Sequence, residues 1–365
     1  MADLRVEVCG ISFPNPVWPA PGPPVRNGAA MVACAEGGAG ALVSKTVSVV
    51  PAQVPTPNMA EIKGGVLNTE LWSEVPVERW LESEYAMAKT TGLPLIVGLG
   101  YSADDIHNLA PRVARYADAL ELSTHYIGED PSPMMAAIRA AKNAVSVPVF
   151  VKLSPLGREM AAAARHAQEA GADAIVAINS FGPCLGIDAE TGCPLMGSEN
   201  GYGWLSGPAI KPLALRCVLD IVREVDLPVI GVGGVSRGID VIEMFMAGAV
   251  AVQVCTACIL RGPKVFGKIV TETGRWLDDH GHSSLQEIHG LTLRRLAERD
   301  VRTHAVPPTL DLDRCTGCGL CEISCAYGAI RVVDRLAVLD EEACAGCGLC
   351  VTRCRPGALT MPEQA

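Results

Sequence analysis

Along the first 300 residues, short apolar runs alternate with longer stretches whose apolar residues recur at helical spacing. Eight of the short runs read as strands, at 17–20, 41–45, 93–98, 119–122, 147–152, 174–179, 228–231 and 250–255. They are nearly continuous in apolar residues, the mark of strands covered on both faces. Most are followed by a stretch such as 159–171 (EMAAAARHAQEAG), Ala-rich and charged along one face, with a glycine to stop the helix. Eight strand-then-helix repeats predict an α/β fold, a closed parallel (β/α)8 TIM barrel. A doubly wound open sheet rarely needs so many units. In a barrel the functional residues belong at the C-terminal ends of the strands.

The alternation breaks at 299–308 (RDVRTHAVPP), which reads as a linker. The expected division is a barrel over 1–300, a linker over 301–309 and a small α+β ferredoxin-like domain over 310–365. Within this tail a single pattern occurs twice, 29 residues apart. The first copy is Cys315, Cys318, Cys321 and Cys325; the second is Cys344, Cys347, Cys350 and Cys354. Both have the CxxCxxCxxxC spacing of bacterial two-cluster ferredoxins. Three thiolates two residues apart wrap a cubane, and Gly317, Gly319, Gly346 and Gly348 permit the tight turns this requires. In such runs the fourth cysteine ligates the other cluster. The expected sets are therefore Cys315, Cys318, Cys321 and Cys354 for one [4Fe–4S] cluster, and Cys344, Cys347, Cys350 and Cys325 for a second. Zinc sites use one or two CxxC pairs instead.

Composition narrows the setting. Eight of 15 cysteines crowd into the tail, which in a reducing compartment reads as metal ligation. The other seven are scattered and read mostly as small buried apolar residues. A formal net charge of -10 makes nucleic acid or an anionic membrane an unsuitable partner. Residues 1–10 do not read as a signal peptide, and no apolar run approaches a membrane span. A cytoplasmic protein is expected.

Two clusters imply a redox partner within the barrel. The turn Gly233-Gly234, and the amides of Cys255-Thr256 after the last strand, suit a phosphate dianion. The runs VSKT (43–46), LNTELWSE (67–74), VKLSP (151–155), LSGPAIKPLALR (205–216), VIGVGGV (229–235) and QVCTA (253–257) occur in order. Together they resemble the FMN-binding barrel of the dihydroorotate dehydrogenase family. NTELWSE and VCTA look most like the pyrimidine-reducing part of dihydropyrimidine dehydrogenase, which carries the same ferredoxin tail.

The resemblance implies FMN over the strand ends, with Lys45 and Lys152 at the isoalloxazine and ribityl region. Ala20, Gly22 and Ser44 would line the ring, and Ser206 and Gly207 the ribityl side. Gly233, Gly234, Cys255 and Thr256 would bind the phosphate, and Asn68, Glu70, Asn179 and Ser180 the substrate. The family carries a catalytic cysteine after the fourth strand, within a motif close to NxSCPN. Here the chain reads ELSTHYIG (121–128). Aligned without a gap, Ser123 takes the place of the substrate-binding Asn and Tyr126 that of the Cys, so Tyr126 or His125 is the expected proton donor.

The implied function is an iron–sulfur flavoprotein oxidoreductase that reduces, or reversibly forms, a C=C bond in a small polar cyclic substrate, pyrimidine-like or related. Electrons would come from a ferredoxin or an NAD(P)H-oxidising flavoprotein subunit, because no GxGxxG follows the first strand. The alternative is an electron-transfer subunit whose FMN and clusters serve only as a relay. By resemblance, the barrels pair as a homodimer.

Overall fold

The computed structural model describes residues 2–123 and 130–362. It divides into two compact units, Met1–Leu293 and Arg294–Ala365.

In the first unit the eight expected strands form one parallel sheet. They are β1 (Val17–Pro19), β2 (Leu42–Val43), β3 (Leu95–Leu99), β4 (Ala119–Ser123), β5 (Val149–Leu153), β6 (Ala174–Ala177), β7 (Val229–Val232) and β8 (Ala251–Val254). Their spatial order is β1-β8-β7-β6-β5-β4-β3-β2, and the Gly40 N–H to Val17 carbonyl bond of 2.9 Å closes the ring between β1 and β2. This is a (β/α)8 barrel.

Strand parity builds two buried layers. Ile96, Ala119, Phe150, Val176, Ile230 and Ala251 belong to one cluster, which fills the barrel. The alternate residues Val97, Leu120, Val151, Ile175, Val229 and Val252 belong to another, packed with the helices outside. Both faces of each strand are thus apolar, which is why the sequence shows runs rather than alternation. An N-terminal hairpin, Val6–Val8 with Ile11–Phe13, adds Val8 and Phe13 to the inner cluster, where the Phe13 ring lies 4.3 Å from that of Trp18.

Two long excursions from the strand ends meet in an antiparallel sheet of order Phe181–Leu185, Tyr202–Ser206, Gly65–Asn68 and Met59–Ile62. Three of its four strands alternate or stay half-exposed, so they carry no apolar run.

The second unit repeats itself, as its cysteine spacing requires. Short helices, Leu320–Ser324 and Leu349–Arg353, follow Gly319 and Gly348, whose φ angles of 77° and 76° suit glycine. Two strand pairs, Thr309–Leu310 with Leu359–Thr360 and Ile330–Val333 with Leu336–Leu339, enclose a small core of Cys321, Ile330, Ala337 and Leu359.

Among the described residues no helix is long and apolar enough to cross a membrane.

Candidate active site

A cavity with about 1400 Å³ of empty space, its mouth included, opens at the C-terminal ends of the strands. All eight strands supply its wall or lead into it. Ala20 and Gly22 follow β1, Lys45 follows β2, and Tyr101 follows β3. Ser123 ends β4, Lys152 sits in β5, and Asn179 and Ser180 follow β6. Gly233 and Gly234 follow β7, and Cys255 and Thr256 follow β8. The antiparallel sheet contributes Asn68 and Ser206, with Glu70 and Gly207 just beyond those strands.

Ser44 is the exception among the described residues assigned to FMN. Parity turns Val43 and Lys45 inward and Ser44 away with Leu42. Its fully buried hydroxyl accepts the Gly98 N–H at 3.0 Å and fastens β2 to β3 instead of lining the cavity. The two expected proton donors, His125 and Tyr126, lie outside the described residues.

Lys152 and Gln253 line the cavity where it meets the apolar filling of the barrel, and Glu121 lies buried beside them, outside the lining. Glu121 of β4 and Gln253 of β8 are each 1% exposed. Their strands lie four apart in either direction round an eight-stranded ring, so the bond Gln253 Nε2 donates to Glu121 Oε2 crosses the barrel. Lys152 Nζ stands 3.8 Å from Glu121 Oε1, within ion-pair range but beyond hydrogen-bond length. Burial pushes the Glu121 carboxyl above its ordinary range, with Lys152 and Gln253 pulling the other way.

Nearer the mouth, Lys45 is committed to protein carboxylates. Its Nζ donates to Glu70 Oε2 at 2.8 Å and Glu74 Oε2 at 2.7 Å, with the lysine side chain only 3% exposed. Glu70 Oε1 accepts from Asn58 Nδ2 at 2.5 Å, so both of its oxygens are engaged. A buried ammonium without such partners would cost several kcal/mol. Asn68 is partly spent on the loop: its amide donates to the Trp204 carbonyl at 2.9 Å and accepts the Glu70 N–H at 3.2 Å. Asn179 Oδ1 accepts the Ser180 N–H at 2.9 Å, while its own N–H bonds the Leu153 carbonyl at 2.8 Å.

Another part of the wall is built from glycine turns and hydroxyls. Gly207, Gly233 and Gly234 have φ angles of 99°, 125° and 78°. At Gly207 a Cβ would meet Gly65 Cα at 2.9 Å and Thr256 Cγ2 at 3.0 Å. Thr256 Oγ1 donates to Ser206 Oγ at 2.8 Å. Burial raises the Cys255 thiol to about 12, so it stays protonated near neutrality.

In the second unit two small cavities, with about 340 and 370 Å³ of empty space, divide the cysteines three plus one. One is lined by Cys315, Cys318, Cys321 and Cys354, the other by Cys344, Cys347, Cys350 and Cys325. None of the eight is joined in a disulfide. Among the described residues no three candidate ligands converge on a single ion, and each hollow is ringed by four sulfurs. Main-chain N–H groups already reach sulfur, from Ala329 to Cys325 at 3.3 Å and, one repeat later, from Ala358 to Cys354 at 3.2 Å.

Comparison with known proteins agrees with both halves. A dihydroorotate dehydrogenase family model matches residues 3–277. The chain belongs to the dihydroorotate dehydrogenase family. A 4Fe-4S dicluster domain model matches residues 314–358. Similar proteins include the catalytic subunit of dihydroorotate dehydrogenase B (NAD(+)) from Methanothermobacter thermautotrophicus, 38% identical over 300 residues, covering 79% of this chain and 98% of that protein. Subunits of the same name from Thermococcus kodakarensis and Geobacter sulfurreducens are 34% and 35% identical, over 80% and 79% of this chain and 99% and 97% of theirs. About a fifth of this chain therefore has no counterpart in them.

For this family the cofactor is FMN, and the cavity suits it. Positive-φ glycine turns and two lysines line it, and the buried Gln253 Oε1 has no hydrogen-bond partner among the described residues. The tail's sulfur-lined hollows suit 4Fe–4S ligation equally. Sequence reasoning passed over Gln253, Glu121, Asn58, Glu74 and Tyr101. Glu121 carried a signal as a charge inside an apolar strand, and Glu74 and Gln253 lay within runs that carried the resemblance.

Proposed function

We propose that this chain reduces, or reversibly forms, a C=C bond in a small, neutral, pyrimidine-like ring. FMN, when bound, would supply the two-electron chemistry at that ring, and the crossed cysteine sets would hold two one-electron clusters.

The observation that carries the substrate class is the Lys45–Glu70–Glu74 group. A carboxylated ring, such as the one the relatives' name implies, needs a cation or free donors to meet its charge. Of the two lysines that line the cavity, Lys45 is doubly occupied and Lys152 is assigned to the flavin, while Glu70 adds a carboxylate to the wall. Repulsion between like charges at such range disfavours an anion, whereas ring N–H groups find acceptors. Asn68, Asn179 and Ser180 then orient the ring with their remaining donors and acceptors. Likeness of the NTELWSE run to the pyrimidine-reducing part of dihydropyrimidine dehydrogenase supports the same reading.

Reduction of a polarised C=C also needs a proton. His125 and Tyr126 are proposed for it on register. Tyr101 also lines the cavity, and burial raises its hydroxyl above the ordinary phenol range, so it remains protonated. The relatives are named as catalytic subunits of an NAD(+)-linked enzyme, which supports electrons arriving here from a second polypeptide. A pure relay has no use for the built Asn58–Glu70–Lys45 group.

The test is anaerobic reoxidation of the reduced, fully loaded protein. Uracil or thymine should reoxidise the flavin and orotate should not. Reoxidation by orotate alone refutes the neutral-ring assignment, and inertness toward every pyrimidine, orotate included, refutes the reductase.

A further inference from the structure

The floor of the cavity holds a charge arrangement that substrate binding does not use. Lys152, Glu121 and Gln253 are 7%, 1% and 1% exposed and come from β5, β4 and β8. An ammonium and a carboxylate so deeply buried ordinarily close to hydrogen-bond contact, because both charges lack water. Here they stop at 3.8 Å. Meanwhile Gln253, reaching across the barrel, holds the other carboxylate oxygen, and Glu121 Oε1 is left with no hydrogen-bond partner among the described residues. Lys152 therefore faces the cavity with its N–H donors unspent on Glu121, while the carboxylate behind it offsets part of its charge.

From this geometry we infer that Glu121, tethered by Gln253, is a positioning residue that sets how much positive charge Lys152 presents to the bound flavin and so sets the flavin's reduction potential. The inference rests on the assignment of Lys152 to the flavin. A cation beside the ring favours the reduced, more negative form. The carboxylate behind it works against that preference. Gln253 decides the balance by keeping carboxylate and ammonium apart.

The two residues then act with opposite sign. Glu121→Gln removes the offsetting charge and leaves Lys152 in place, so the flavin's two-electron midpoint should rise, by a factor of about ten in the redox equilibrium or roughly 30 mV. Gln253→Leu releases the carboxylate onto Lys152, so the midpoint should fall by a similar amount and FMN should bind more weakly. Lys152→Met is the control and should lower the midpoint.

Potentiometric titration of the fully loaded protein reads all three, with circular dichroism to certify folding. Gln253→Leu leaves the charges intact and tests the inference by itself if Glu121→Gln does not fold. Opposite shifts from the two variants support it. Unmoved midpoints, or shifts of one sign, overturn it while a shift in Lys152→Met leaves the flavin assignment standing. If Lys152→Met binds FMN with an unchanged midpoint, the flavin assignment itself falls and takes the inference with it.

Discussion

Lys45 shows how much a single side chain decides. Its charge is balanced by Glu70 and Glu74, so changing Glu70→Gln breaks a pair inside a nearly dry wall. We expect KM for a neutral pyrimidine to rise about tenfold or more with a smaller change in kcat, and orotate to bind more tightly; steady-state kinetics and flavin difference spectra measure both. For the proton, Tyr126→Phe, His125→Ala and Tyr101→Phe should be compared by timing flavin reoxidation. The donor's variant should slow that step about 100-fold or more, and an equal, small effect from all three would refute the proposed donors. The thiols supply a check by pH. Burial raises Cys217 to about 11 and Cys255 to about 12, so the folded chain keeps protons that the unfolded chain releases near its ordinary thiol range. Their stabilisation is complete below pH ~9 and is lost as pH rises toward 11–12. Denaturant midpoints should accordingly fall between pH 8.5 and 10.5, and fall less in Cys217→Ala. At this scale the sequence disclosed Lys45 and Lys152 through the runs around them. Gln253 hides inside an apolar strand, and Asn58 acquires a purpose only when the chain brings Glu70 back to it.

Among the elements, the strands were the most readable because a barrel buries them on both sides and so writes them as apolar runs. All eight appear where those runs lie. The antiparallel sheet at the mouth was not readable, since Met59–Ile62, Phe181–Leu185 and Tyr202–Ser206 keep polar or exposed residues at alternate positions and pair with segments far away in sequence. That sheet nevertheless delivers Asn68 and Ser206 to the cavity. Its junction with the barrel is tight at Gly207. A Gly207→Ala change puts a Cβ at positive φ and within 3.0 Å of both Gly65 and Thr256. It should cost about 1–3 kcal/mol of stability and weaken FMN binding more than tenfold, read by denaturation and by flavin titration of the apoprotein. Retained FMN affinity would show that the turn lies clear of the cofactor.

For the molecule as a whole, the tail's repeat is a statement about shared ownership. The cavities pair Cys325 with the second run and Cys354 with the first. If each encloses a cluster, Cys325→Ser and Cys347→Ser should disturb the same one, and Cys354→Ser and Cys318→Ser the other. Iron analysis and low-temperature EPR of the four single variants would show two matched pairs; matching within each run instead would refute the crossing.

The same arrangement bears on how the tail can change over time. Each copy of the repeat places three cysteines around its own hollow and a fourth around its neighbour's. Deleting either copy would leave the survivor with an incomplete set, so neither can shrink back to a single unit by simple loss. A duplication wired in this way becomes irreversible once both halves depend on the exchange, and substitutions at Cys325 or Cys354 are judged by their effect on the distant copy.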